Sequence, residues 1–359
     1  MSSAATASPA PTATPAPTAT PASTATPAPT ASPASSTYIA PANAQPFPNS
    51  PFDNTVSSPQ ISSNSAQYIT SVLAGYKYDL GQMQFSTATS GPTDQDVPVY
   101  TSHNSDVHYT IHCMYYSNCP LEGHDVAIPK GALPAGNLGY TSFTDDGHDD
   151  QHMAIRNLDT QVETDMWLTP QPNNTGGTLN IGYGGSFPFS SGGIGQGGAT
   201  AAGFALSQGL VRPVDLVAGH IPTALFLVTP CENGHIAPAT GNDNVTANPN
   251  CPPIGAHVWL DSTPSEISAS GASPDFKVIL NAMHEYGGFI GDQCSSCMLG
   301  VSLEGGLAYT AFGKQNPWAQ IAAMHPGETM SAPAGGVAQY HISISTGNID
   351  LSVHLHVIN

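Results

Sequence analysis

The sequence predicts a mainly β protein, a jelly-roll-like β-sandwich with one or two peripheral helices, carried behind a Thr/Ala/Pro-rich disordered linker or stalk. Three patterns point there. Proline recurs every six residues at Pro9, Pro15, Pro21, Pro27 and Pro33, in a stretch with no large apolar side chain to bury. Beyond it, short β-branched runs are separated by Gly, Pro, Asn and Asp, the signature of many short strands joined by turns. Near the C-terminus, apolar and polar residues alternate with the two-residue period of a half-buried strand.

Residues 1–44 carry no charged side chain. Their prolines favour polyproline II, so the segment reads as a semi-rigid spacer reaching on the order of 90 Å at ~3.1 Å per residue. Ser and Thr among prolines is also the composition of O-glycosylated stalks. Residues 45–359 read as a single β-rich globular domain, long enough to bury a sizeable core. Met1–Ala5 shows neither a basic segment nor an apolar core, so an export signal is expected to have been trimmed from this sequence.

Within the domain, 97–100, 107–112, 224–228 and 256–260 read as strands. A hairpin is expected with 151–156 pairing 161–168 around the turn Asn157-Leu158-Asp159-Thr160. Two helices are expected. Pro213–Ala218 is short and opens on proline, while Pro274–Tyr286 places Phe276, Ile279, Leu280 and Met283 at helical spacing and stops at Gly287-Gly288. A last hairpin is expected to pair 339–345 with 349–357, its polar face carrying His341, His354 and His356.

Charge excludes several functions. The chain has 6 basic and 25 acidic side chains, a formal net charge of −19, and the basic residues are scattered singly. Nucleic acid and anionic lipid need clustered Lys and Arg, so neither is an expected partner. The longest apolar run, 224–228, is too short to span a bilayer, so no membrane span is expected. An acidic surface that is neutralised at low pH suits an acidic extracellular setting. The six cysteines fall into the close pairs Cys113/Cys119, Cys231/Cys251 and Cys294/Cys297. Such local, even spacing behind a tether reads as disulfides and an extracellular or cell-surface location, the rival being a metal site at Cys294-x-x-Cys297, which no second C-x-x-C accompanies.

The segment richest in chemistry runs from Asp145 to Gln171. Alternation places Glu163, Asp165 and Trp167 on one face of a strand, with His152, Ala154 and Arg156 opposite them. His148 and Asp149 lie just upstream. Two carboxylates, an aromatic ring, a histidine and an arginine on one exposed sheet face are what glycan chemistry needs. The other reading is a solvated face whose Arg156 balances Glu163.

Glu163-Thr-Asp165-Met-Trp167 resembles the Glu-x-Asp strand of the laminarinase and cellobiohydrolase clan of β-jelly-roll glycoside hydrolases. The resemblance implies Glu163 as nucleophile and Asp165 as its electrostatic helper. The clan places a second Glu shortly after, where this chain has Leu168 and Thr169. The general acid is therefore sought at Asp146, Asp149, His152 or Glu304. More broadly, Asn49-Ser-Pro-Phe52, Asp146-Gly-His148, Gly209-Leu-Val-Arg212-Pro213, Ala218-Gly-His220-Ile221 and Gly255-Ala-His257 resemble a group of secreted bacterial β-rich proteins of unassigned activity.

Gly193, Gly195 and Gly198 fit G-x-G-x-x-G, but they sit in a run of nine glycines between Gly182 and Gly203. That run reads as a flexible loop and a lid over the sheet face, not as a nucleotide cradle. Fourteen histidines are many beside six Lys and Arg. His354-Leu-His356 with His341 is a candidate divalent-metal site, with a carboxylate-paired polar face as the rival reading. No cofactor is required by the favoured function. That function is a secreted carbohydrate-active enzyme, a glycoside hydrolase or polysaccharide lyase acting on extracellular polysaccharide or cell-wall glycan. The alternative is a non-catalytic carbohydrate-binding or cell-surface protein.

Overall fold

In the computed structural model the described residues are 47–74, 87–88, 96–136, 139–145, 150–243, 248–294, 299–325, 329–334, 337–342 and 347–359. Only backbone is described for 87–88, 329–334 and 337–342. The chain divides into two units, Met1–Thr37 and Tyr38–Asn359. The described residues all lie in the second, so the expected tether is outside them.

The first eight strands are β1 (Thr87–Ala88), β2 (Val99–Ser102), β3 (Val107–Cys113), β4 (Asp125–Ile128), β5 (Met153–Asn157), β6 (Val162–Trp167), β7 (Gly177–Ile181) and β8 (Tyr183–Pro188). The next seven are β9 (Leu225–Thr229), β10 (His257–Leu260), β11 (Gly288–Gln293), β12 (Gly300–Val301), β13 (Thr329–Ala334), β14 (Val337–Ile342) and β15 (Leu355–Ile358). The helices are α1 (Ser65–Leu73), α2 (Pro213–Ala218), α3 (Pro264–Ala269), α4 (Pro274–Glu285), α5 (Leu307–Thr310), α6 (Pro317–Met324) and α7 (Leu351–His354). Strands dominate, as expected. Among the described residues they form four sheets, in the orders β2-β5-β6-β8, β4-β3-β7, β12-β9-β11-β10-β15 and β1-β14-β13. The pairs β2–β5, β3–β7 and β9–β11 are parallel, so the sheets are mixed. Among the described residues no helix is long and apolar enough to cross a membrane.

The expected central hairpin forms as β5 and β6. Asn157 closes its turn by accepting from the backbone N–H groups of Asp159 and Thr160, both at 3.0 Å. Arg156 then faces Glu163 and Ala154 faces Asp165. On the opposite face of this sheet Tyr100, Met153, Ile155 and Met166 meet Tyr109, Ile111, Val126 and Leu179 of the β4-β3-β7 sheet in one core. A second core lies between the five-stranded sheet and its helices. There Phe276, Ile279, Leu280 and Met283 of α4 pack with Leu225, Leu227 and Ile290. Each such buried side chain contributes roughly 1.5–3 kcal/mol.

Both expected helices are present. Proline opens α2 and α4, where its missing N–H is not needed, and Gly219 and Gly287 close them at φ 72° and 73°. The expected C-terminal hairpin is overturned. β14 pairs with β13 and β1, while β15 pairs with β10. The reason lies at Asp350, whose carboxylate accepts from the Ser352 N–H at 3.0 Å and starts a helical turn, α7, within the alternating run. Val353, expected inside, is consequently 60% exposed.

Cys113–Cys119 and Cys231–Cys251 are disulfides, with Cα atoms 6.2 and 5.9 Å apart. Cys294 is also disulfide-bonded, and its expected partner Cys297 lies outside the described residues.

Candidate active site

The face of β6 bearing Glu163 and Asp165 is interior. Both residues are 0% exposed, and Arg156 and His152 are buried with them. Arg156 donates to Glu163 Oε2 at 2.6 Å and to Ser207 Oγ at 2.8 Å. Ser207 donates to Glu163 from its backbone N–H at 3.0 Å and from its hydroxyl at 2.6 Å. The Leu206 N–H donates to Asp165 Oδ2 at 2.6 Å. Phe47 and Phe189 flank the guanidinium, their ring centroids 4.7 and 4.4 Å from its carbon. Burial, and then the charge of Glu163, push Asp165 well above the usual carboxylate range.

This corrects the expectation of an exposed carboxylate face, and the cover is the glycine-rich segment itself. A Cβ on Gly185 would sit 2.8 Å from the Gly198 backbone, and one on Gly198 would sit 2.7 Å from the Phe187 ring. Glycine at both positions lets the segment lie directly on the sheet. The Gly193–Gly198 motif follows a short 3₁₀ turn, Phe189–Ser191, and Ile194 bridges Phe204, so it opens no helix. The nucleotide fingerprint is absent there.

The other expected residues separate. Asp146, His148 and Asp149 lie outside the described residues. The His152 Nε2 pairs with the Ala199 carbonyl at 3.1 Å, and burial lowers its pKa below the usual imidazole value. Glu304 belongs to a different buried group, accepting from the Tyr309 hydroxyl at 3.1 Å. Burial pushes its carboxyl to about 7.

A site that the sequence reading missed forms around Asp292. Strands β9 and β11 run parallel, and their pairing shifts register between Ile290 and Asp292. Such a bulge re-aims side chains at a strand end. Asp292 keeps partial exposure at the C-terminal end of this parallel pair, the usual place for a ligand in parallel sheets. Its Oδ1 accepts from the Gln293 N–H at 2.8 Å. Burial, and then the charges of Asp150 and Asp243, raise its carboxyl to about 8. Both ends of the Gln293 side-chain amide are buried without a hydrogen-bond partner. The Ala202 N–H donates to the Gly291 carbonyl at 2.9 Å, so the glycine-rich segment borders this site too. The sequence signal was available: Asp292-Gln293 is a polar pair closing the apolar strand Gly288-Phe-Ile-Gly291 just before Cys294.

Asp150 links this acid to aromatic rings. Its Oδ1 accepts the Trp167 indole N–H at 2.8 Å. Tyr115 lies 5.2 Å from Trp167 between ring centroids, Tyr116 lies 4.9 Å from Tyr115, and Tyr183 lies 5.4 Å from Tyr116. Tyr115 and Tyr116 are 48% and 52% exposed, held within the loop that the Cys113–Cys119 disulfide closes. The result is an exposed strip of rings ending at a carboxylate that acts on a protonated acid.

The histidines of the proposed metal site do not share a strand face. His354 ends α7 and His356 lies on β15. Asp261 holds both, from His354 Nδ1 at 2.6 Å and His356 Nε2 at 2.8 Å. The side chain of His341 lies outside the described residues, and among those described no group of three His, Cys, Asp or Glu is placed to hold a metal ion.

No protein-family model matches the chain, nor does any curated protein or solved structure.

Proposed function

We propose that the domain is an extracellular carbohydrate-active enzyme whose working groups are Asp292 and Asp150 beside the strip Tyr116, Tyr115 and Trp167. In this reading Glu163 and Asp165 hold the covering segment in place. The observation that carries it is the pairing of a carboxyl raised to about 8 with a second carboxylate anchored to an exposed aromatic strip. Two acids with environments this different are the division of labour that glycoside cleavage uses. Sugar rings would stack on the strip and place a glycosidic oxygen at Asp292. Asp292 gives that oxygen its proton as the C1–O bond breaks. Asp150 takes a proton from the attacking water, whose oxygen bonds to C1, and solvent returns the two carboxyls to their starting states.

The two sheets that share the first core are read as the jelly-roll-like sandwich carrying the strip. Disulfides and the acidic surface support an extracellular location. A second reading, non-catalytic glycan binding, is favoured by the exposure of Tyr115 and Tyr116. The test is a panel of polysaccharides with reducing-end and unsaturated-product assays, run on the full chain and on Asp150→Asn. Turnover that the substitution abolishes supports the enzyme. Tyr116-dependent binding with no turnover on any polysaccharide would leave the binding protein standing.

A further inference from the structure

We infer that the ligand of the aromatic strip is a single soluble glucan chain that coils, its sugar faces turning along its length, and not a flat ribbon or the face of a crystalline polysaccharide. This substrate class rests on the strip being the sugar-binding surface proposed above, and narrows it. The observation behind it is the tilt between neighbouring rings. Trp167 and Tyr115 are inclined at 70°, Tyr115 and Tyr116 at 60°, and Tyr116 and Tyr183 at 88°. None of these pairs shares a plane. The negative face of an aromatic ring attracts the C–H face of a pyranose. Sugars lying on adjacent rings therefore take on the tilt of the rings beneath them.

The rings are held at these angles before any ligand arrives. The Tyr115 N–H donates to the Gly182 carbonyl at 3.1 Å, and the Gly182 N–H donates to the Trp167 carbonyl at 3.0 Å. One residue thus ties the loop to β6. A Cβ on Gly182 would sit 3.0 Å from the Trp167 ring, so glycine there lets the indole lie against the backbone. Asp150 holds the indole N–H, Tyr183 faces Trp167 across β8 and β6, and the Cys113–Cys119 disulfide closes the loop that carries Tyr115 and Tyr116. Steeply inclined, edge-to-face packing is a favoured arrangement of aromatic pairs, so turning the rings into one plane would give up a contact at each step. A strip fixed in this way selects its ligand by shape. In an extended ribbon successive sugar faces lie in parallel planes, and on a crystal whole rows of them do. Such a surface would lie flat on one ring and miss the next. A coiling chain, such as amylose or curdlan, turns its faces from sugar to sugar and meets Tyr115 and Tyr116 together.

The test titrates the full chain with maltohexaose, a curdlan hexamer and cellohexaose, and sediments it with microcrystalline cellulose. Each measurement is repeated with Tyr116→Ala. Tyr116 is half exposed, so its loss should leave the melting temperature near the parent value. At least one coiling hexamer should bind about tenfold or more tightly than cellohexaose, and Tyr116→Ala should weaken that binding by about tenfold, differences readily resolved by calorimetry. The protein should stay in the supernatant over cellulose. Cellohexaose binding as tight as the coiling hexamers, or sedimentation with cellulose, lost in Tyr116→Ala, would overturn the coiling-chain assignment and leave the strip as a sugar surface. Absence of any Tyr116-dependent binding to all four would overturn the strip as the sugar surface, and the substrate class with it.

Discussion

The Trp167 indole N–H donates to Asp150 Oδ1 at 2.8 Å, and through that bond an aromatic strip is fixed to the carboxylate that bears on Asp292. Trp167 shares its strand face with Glu163 and Asp165, yet only the tryptophan end keeps exposure. Trp167 is half-buried and packs against the apolar cluster that holds Ala199 and Leu206, so the proposed chemistry lies beside the cover.

The raised carboxyl of Asp292 makes stability depend on pH. Its folded value of about 8 stands above the ordinary 3.8, so between those values the unfolded chain releases a proton that the folded chain keeps. Folded stability therefore falls as pH rises through that window. Asp292→Asn removes this penalty. Its melting temperature should match the parent near pH 3.5 and exceed it increasingly towards pH 8, as measured by calorimetry across pH.

Breaking the buried pair should be severe. Arg156→Met leaves the fully buried Glu163 without its cation and should destabilise the domain by about 3–5 kcal/mol, read from denaturant unfolding. The double variant Arg156→Met with Glu163→Met should recover much of that loss, because neither charge is then stranded. A double variant no more stable than the single would contradict the pairing.

The glycine-rich cover should depend on Gly185. A methyl group there meets the Gly198 backbone at 2.8 Å, which cannot move aside as a side chain would. Gly185→Ala should cost about 1–3 kcal/mol, and limited proteolysis should then cut between 189 and 210. Protection equal to the parent would show that the segment is not seated as described.

Histidines take the place of lysine and arginine in many surface ion pairs, among them His103–Asp159, His108–Asp125, His112–Glu122 and His220–Glu285. The Asn104 carbonyl and then Asp125 raise His108, a contribution complete below its ordinary 6.5 and lost as pH rises through the higher folded value. The Asn104 N–H and then His103 lower Asp159, and the Cys113 N–H and then His112 lower Glu122. For Asp261 burial works the other way, but His356 and His354 together still hold it below its ordinary value. These carboxylates contribute above their ordinary 3.8 to 4.5 and lose that contribution as pH falls through the lower folded values. Each exposed pair is weak, but the contributions of His108, Asp159, Glu122 and Asp261 are all present between roughly pH 4.5 and 6.5. Asp125→Asn should therefore lower the melting temperature more at pH 5.5 than at pH 9, and an equal loss at both would contradict the pairing of His108.

The local structure was legible where neighbours in sequence decide it. Alternation and Asn157 set the β5–β6 register, prolines opened α2 and α4, and close cysteine spacing marked two disulfides. What was not legible depended on distant chain. Nothing in Glu163-Thr-Asp165 reveals that the N–H groups of Leu206 and Ser207 will cap those carboxylates. The alternating run at 349–357 looked like strand because the Asp350 cap that starts a helical turn is a single side chain within it. Nothing local marks Asp292, because its burial, and then the charges of Asp150 and Asp243, come from chain far away in sequence.

The most direct measurement is the turnover of Asp292→Asn against that of Glu163→Gln, on whichever polysaccharide the full chain cleaves. Loss of a general acid should reduce kcat by about 10²–10⁴-fold in Asp292→Asn while KM stays near the parent value. Folded Glu163→Gln should keep most of its turnover. Unchanged kcat in Asp292→Asn, with turnover abolished in a correctly folded Glu163→Gln, would return the chemistry to the buried hairpin and contradict the site proposed here.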